Sequence, residues 1–386
     1  MDLKNLVSKK INDYAEKLFF LSNEVWKNPE LNFKEFKAHE LLTNFLEKEG
    51  FTVERSYTGI ETAFRATFGS GRPNVCVICE YDALPKIGHA CGHNLIAEAG
   101  IAAGLGLKAV LESSDAPKGM LTIMGTPAEE GGGGKIKLIK NGAFENIDFA
   151  MMVHPSPKDV VMSDFVCLCP LDITYTGKAA HAAAFPWEGV NALDAAVMAY
   201  TSISALRQQM KPTWRVHGII TNGGAKPNII PEKAAMEYYI RAPSMSDLDL
   251  LKSKVTACFK SAATATGCEV EICEPADTFA SVKHNDTLAK LYYRNIVDLG
   301  VKDMILEENL GGSTDMGNVS YIVPSIHPMF AIGSGEVNHT REFTAAANTP
   351  EAHTATLIAA KAMAHTCIDV LTTDGLMEKI KDTFKD

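Results

Sequence analysis

The sequence predicts an α/β fold, a mixed and mostly parallel sheet flanked by helices, interrupted by a smaller inserted α+β domain. Three observations predict it. Short apolar runs alternate with helical stretches, as in chains that build parallel sheets. The run Asn74 to Cys79, NVCVIC, is apolar almost throughout, as a strand buried on both faces would be. Near residue 170 the pattern switches to alternation by two in LDITYTG and AMEYYIRAP, the mark of a half-exposed antiparallel sheet. The first character returns after Asp277, so the expected division is residues 1–169, an insert over 170–280, and 281–386.

The elements follow in order. Residues 6–27 and 35–49 carry helical periodicity, the second ending at Gly50. Strands are expected over Phe51 to Glu54, Glu61 to Phe68 and Asn74 to Cys79, then a helix over Asn94 to Glu112. A strand at Met120 to Met124, a helix near Lys135 to Asn141 and a strand at Phe149 to Val153 complete the first part. The insert supplies helices over Val190 to Gln209 and Ser246 to Ala263. The return carries a helix near Asp286 to Leu299, a buried run at Ile326 to Ile332 and a long helix over Pro350 to Leu371.

Composition narrows the function classes. The 386 residues hold 37 Lys+Arg against 47 Asp+Glu, a net charge of −10, which disfavours nucleic-acid binding and a polybasic membrane anchor. No uninterrupted apolar stretch of about 18 residues occurs, so no membrane partner is expected. Nine scattered cysteines and a start without a secretory pattern suggest reduced thiols and a cytoplasmic location.

Ligands of open α/β sheets gather at the carboxyl ends of strands, so the residues after each apolar run are the first candidates. Glu80, Tyr81 and Asp82 follow NVCVIC, and HACGHN follows them with Cys91 and His93. Glu129, Glu130 and four glycines follow LTIMG, His154 follows FAMMV, and His339 follows the last run. Thiol, imidazole and carboxylate together suit zinc, and a carboxylate-rich site admits manganese. The glycines after Glu130 allow close backbone approach. Each residue also has a plainer reading: a solvated loop for Glu129 and Glu130, a buried strand for Cys76 and Cys79, packing for His327 and His353. His353 is the reserve ligand should His339 fail. GGGGK lacks the positions of a phosphate loop, and no Gly-x-Ser-x-Gly elbow occurs.

The segments CEYDALPKIGHACGHNL, GTPAEEGGGGK, MMVHP, GKAAHAAAFPWEGVNALDA, KPNIIPEKAAMEYYIRAP, GSTDMGNVS and NHTREF occur in this order. In that order they resemble the metallohydrolases of peptidase family M-twenty, with aminoacylase and carboxypeptidase G. The amidohydrolase branch, with aminobenzoyl-glutamate hydrolases and β-alanyl-lysine-type dipeptidases, is most similar. The resemblance implies a zinc-exopeptidase-like catalytic domain and a ferredoxin-like lid that mediates homodimerisation. It implies two divalent metal ions, zinc or manganese, held by Cys91, His93, Glu130, His154 and His339. Glu129 matches the general base. Glu80 stands where other branches carry an aspartate that orients a ligand, with Asp82 as the alternative.

The implied reaction is hydrolysis of an amide bond in a small N-acyl amino acid, aminobenzoyl-glutamate-like conjugate or dipeptide with a free carboxylate. An acidified water would be the nucleophile and Glu129 would move its proton. His181 resembles a lid histidine that stabilises the oxyanion from the opposite subunit. Asn228 and Arg241 match lid residues that hold the substrate carboxylate. Gly311 and Gly312 before Ser313 read as a close substrate approach or a simple turn. The alternatives are an exopeptidase on longer peptides and a non-catalytic metal-binding regulator of the same fold.

Overall fold

Strand and helix formers sort into two units in the computed structural model, which describes residues 2–309 and 311–385. The first unit comprises Met1–Asp164, Val282–Leu310 and Thr314–Asp386; the second comprises Phe165–Ser281 and Gly311–Ser313. The first unit opens with strands β1 (Thr52–Arg55), β2 (Phe64–Ser70), β3 (Asn74–Cys79) and β4 (Gly119–Gly125). It continues with β5 (Phe149–Met151), β6 (His154–Ser156) and β7 (Val160–Asp164). The second unit holds β8 (Cys167–Thr176), β9 (Arg215–Asn222), β10 (Lys233–Ala242) and β11 (Glu269–Cys273). The chain then returns through β12 (Ile305–Asn309), β13 (Ser325–Ile326) and β14 (Met329–Ala331).

The main sheet has six strands in the order β1-β2-β4-β3-β5-β13. β4, β3, β5 and β13 run parallel, while β1 and β2 add an antiparallel edge. Alternation explains how β3 is buried on both faces. Val75, Val77 and Cys79 enter a core with the helices His93–Leu111 and Pro350–Thr372. Cys76 and Ile78 point the other way, to Leu138, Met316 and Val319. Helices thus cover both faces, as a parallel sheet requires. β5 pairs with β3 on the side opposite β4, so the strand order reverses at β3 and opens a crevice at the carboxyl ends. A smaller sheet has the order β12-β7-β14-β6.

The second unit is an antiparallel sheet in the order β11-β8-β10-β9. The helices Ala192–Leu206 and Met245–Thr266 cover one face, burying Ala195, Ala199, Leu251 and Phe259 against Ile173, Tyr175, Tyr238 and Ile240. Asn191 and Ser244 cap these helices with side-chain acceptors. The βαββαβ order is the ferredoxin-like arrangement.

Several elements differ from expectation. The helix over 6–27 is two helices, Leu3–Asp13 and Ala15–Lys27, broken at Tyr14. The run Ile326 to Ile332 is split at His327-Pro328 into β13 and β14, which join different sheets. Pro328 has no N–H to extend a ladder. The second unit begins at Phe165 and takes in Gly311–Ser313, because the Val166 N–H bonds Gly312 O at 2.8 Å and Ser313 Oγ bonds Val166 O at 2.7 Å. The helix His93–Leu111 is long and apolar enough by composition to cross a membrane, and it lies buried in the core of the first unit. All nine cysteines are free thiols, with Cys76 and Cys79 buried in β3.

Candidate metal centre

Three strand ends and one loop place the candidate ligands. β3 delivers Glu80, Tyr81 and Asp82, and the Tyr81 hydroxyl fixes the turn by bonding Thr62 O at 2.5 Å. The next loop brings Cys91 and Gly92, and His93 begins a helix. Gly92 has φ of 78°, and a Cβ there would meet Pro155 Cγ at 2.5 Å. Only glycine lets thiol and imidazole flank so tight a turn. β4 leads to Glu129 and Glu130, following Ala128 at φ 60°. Gly134 closes this turn, where a Cβ would lie 1.7 Å from Pro127 O. His154 starts β6, and His339 occupies a left-handed position whose N–H bonds Ala90 O at 2.8 Å.

These segments bring one ligand atom of each of six residues into three overlapping groups. They are Cys91 with His93 and His154, Cys91 with Glu130 and His339, and His93 with Glu129 and Glu130. Within each group the atoms lie within 4.8 Å of one another. Cys91 Sγ is 3.4 Å from His154 Nε2, and His339 Nε2 is 3.5 Å from Glu130 Oε1. His93, Cys91, Glu129 and His154 are buried, while the His339 side chain is 54% exposed and forms the open rim.

Hydrogen bonds set the histidine tautomers. His154 donates Nδ1–H to Pro155 O at 2.8 Å, leaving the Nε2 lone pair toward Cys91. His93 Nδ1 bonds Asp82 Oδ1 at 2.9 Å, and Asp82 Oδ2 accepts the Glu130 N–H at 2.9 Å. Asp82 therefore has the ligand-orienting place considered for Glu80. Glu80 sits on the opposite side of the ring, with Oε2 3.3 Å from His93 Nε2. His89, the first histidine of HACGH, turns away to Val25 O at 3.1 Å.

The electrostatics fit a cation. Burial opposes charge on His93, but Asp82, Glu80 and Cys91 outweigh it and raise its pKa. Burial raises Cys91 and, with Glu80 and Glu130 beside it, raises Glu129. Burial and His93 push His154 down to about 4, keeping it neutral. Among the described residues, His93 Nε2, Glu80 Oε2 and Glu130 Oε1 are buried without a hydrogen-bond partner. Polar atoms so placed are costly unless a ligand satisfies them. A soft thiolate with imidazoles and carboxylate is a donor set for zinc-like divalent ions.

The second unit places the remaining residues. Ala183 and Ala184 donate their N–H groups to His181 Nδ1 at 3.2 and 3.1 Å, so the proton sits on Nε2. Asn228 is exposed, and its carbonyl accepts the Ala182 N–H at 3.0 Å, beside His181. Arg241 donates from Nη1 to Ser313 Oγ at 2.7 Å and has no ion pair among the described residues. His353 pairs with the buried Glu98 and is absent from the three ligand groups. Sequence reasoning missed Lys135, which joins Glu80 and Asp315 beside this pocket; the lysine ending GGGGK was its one visible sign.

The comparisons with known proteins place the chain in a family. A peptidase dimerisation domain family matches residues 168–266. Xaa-Arg dipeptidase of Mus musculus is 50% identical, covering 99% of this chain and 92% of its own length. This chain belongs to peptidase family M-twenty. The Homo sapiens Xaa-Arg dipeptidase is 48% identical to this M-twenty peptidase, with 97% and 90% covered. One of the p-aminobenzoyl-glutamate hydrolase chains of Escherichia coli (strain K12) is 30% identical, with 93% and 90% covered. The fold matches an aminobenzoyl-glutamate utilization protein from Klebsiella pneumoniae at a TM-score of 0.74 and 18% identity, with 94% and 98% covered. It also matches a dinuclear metal-binding peptidase from Bacillus subtilis at a TM-score of 0.69 and 20% identity, with 94% and 99% covered. The M-twenty peptidase is a metal-dependent hydrolase of the dipeptidase and amidohydrolase class.

Proposed function

We propose that the protein hydrolyses dipeptides that carry a free carboxylate and a basic C-terminal side chain. The two dipeptidase relatives are named for cleaving before arginine. Such a dipeptide is cationic at neutral pH, and the net charge of −10 attracts it. The observation that carries the reading is the sharing of Cys91 between two ligand groups, with Glu129 in a third.

Cys91, His93, Glu130, His154 and His339 would hold two divalent ions, zinc or manganese. Bound there, such ions would supply Lewis acidity to the scissile carbonyl and to the attacking water. Glu129 would take a proton from the attacking water and deliver it to the leaving amine. His181 presents an Nε2–H, the correct form for donating to an oxyanion. Arg241, half-buried without an internal carboxylate, takes the substrate carboxylate with Asn228. The protein acts as a homodimer through the lid, with His181 contributed in trans. The free thiols are the support for a cytoplasmic location.

The test is a hydrolysis screen of dipeptides and N-acyl amino acids after chelation, with zinc or manganese restored. Dipeptides ending in Arg or Lys should be cleaved at least about tenfold faster than uncharged analogues, a difference of about 1.4 kcal/mol. Equal rates across the panel would remove the basic-residue preference.

A further inference from the structure

We propose that Glu80, aimed by the buried Lys135, is an additional metal-facing carboxylate of the site and that Lys135 is a positioning residue. The proposal rests on the metal-centre reading above and extends it to two residues outside its ligand set.

Glu80 is fully buried, so each of its oxygens needs a partner. Oε1 has one, the Lys135 ammonium. Lys135 is itself 0% exposed and is held at two points by Asp315. Its Nζ donates to Asp315 Oδ1 at 2.6 Å, and its backbone N–H donates to Asp315 Oδ2 at 2.9 Å. Burial disfavours the Lys135 charge, but Asp315 and Glu80 outweigh burial and raise its pKa, so it stays an ammonium.

One oxygen of the two carboxylates is left without a hydrogen-bond partner among the described residues. Both Asp315 oxygens and Glu80 Oε1 are occupied by Lys135, which leaves Glu80 Oε2. Among the described residues Oε2 has no hydrogen-bond partner, and neither has the nearby His93 Nε2. The two atoms are 3.3 Å apart. Donors each about 2.0–2.1 Å from one tetrahedral ion are separated by roughly 3.3 Å. The same His93 Nε2 lies 4.0 Å from Glu129 Oε2 and 3.9 Å from Glu130 Oε1, so Glu80 Oε2 stands beside a residue shared by two of the three ligand groups. An orienting role is closed to Glu80, because Asp82 already holds His93 Nδ1. With Oε1 pinned by Lys135, the carboxylate is turned with Oε2 toward the pocket.

Asp315 provides the control. It shares Lys135 with Glu80, but each of its oxygens already accepts a hydrogen bond from Lys135. A purely structural triad would make Glu80→Gln and Asp315→Asn equivalent. The experiment measures zinc affinity of the wild-type and both variant full-length chains by competition with a chromophoric chelator, with circular dichroism checking that each is folded. Glu80→Gln should bind at least one zinc about tenfold or more weakly, and Asp315→Asn should stay within about threefold of wild type. Wild-type affinity in Glu80→Gln, or equal losses in the two variants, would overturn the proposal while leaving the metal centre intact. Absence of zinc binding by wild type would overturn the metal centre as well. Should Glu80→Gln fail to fold, Glu80→Asp keeps the charge but withdraws the oxygen by one methylene. It should show the same loss, and unchanged affinity there would overturn the proposal.

Discussion

Asp82 and Glu80 stand two residues apart after one strand, yet they serve opposite sides of His93. Asp82 bonds the ring at Nδ1, while Glu80 Oε2 lies 3.3 Å from Nε2. The spacing in Glu-Tyr-Asp leaves both assignments open, and the fold separates them through the path of the loop to His93. Glu129 has the narrowest role. Glu129→Gln should retain its metal by elemental analysis and lose at least roughly two orders of magnitude in turnover, the usual contribution of a positioned acid-base group. Near-normal turnover would remove Glu129 from proton transfer. The ligand candidates were legible because they follow apolar runs within short motifs. Lys135 and Asp315 were not, because their contact spans 180 residues and no local pattern marks it. His353 had the right residue type and the wrong place, since its side chain pairs with Glu98.

At the scale of elements, the sheet was legible where burial wrote itself into the sequence. NVCVIC reads as a strand covered on both sides, and its alternate residues do enter two cores. The short strands β6, β7 and β12 escaped notice because three to five residues carry too little periodicity. One polar tie fixes the start of β3. Asp148 accepts from the Asn74 N–H at 2.7 Å and from Arg72 Nη1 at 2.8 Å. Burial raises its pKa, but these partners outweigh it and the net shift is downward. A carboxyl held low in the folded state adds stability above its unfolded pKa of about 3.9, and loses it as pH falls through the lower folded value. Asp148→Ala should therefore cost about 1–3 kcal/mol in denaturant unfolding at pH 7. The difference from wild type should shrink below pH of about 4, and a pH-independent difference would assign the loss to packing instead.

At the scale of the whole molecule, the second unit carries the match to a peptidase dimerisation domain and the three candidate substrate residues. Its β9 edge is unpaired among the described strands, and the exposed Val197, Met198, Tyr200 and Ile219 supply apolar surface on the same unit. If His181 acts in trans, mixing His181→Ala chains with Glu129→Gln chains should restore to the mixture up to about a quarter of wild-type activity, because random pairing makes about half of the dimers heterodimers with one intact site each. Heterodimers that form and stay inactive would place His181 in its own protomer's site. The inserted domain was legible from the change of periodicity at residue 170. The five residues before that boundary were not, because Phe165 and Val166 join the second unit through contacts with Gly311–Ser313 far along the chain.

A thiol, imidazoles and carboxylates from distant segments should hold divalent ions together. The most direct measurement is metal stoichiometry by elemental analysis after chelation and zinc titration, on wild type and Cys91→Ser. Two ions per wild-type chain and a clear loss in Cys91→Ser are the predicted result. Equal stoichiometry in the two proteins, or no metal in either, would contradict the claim.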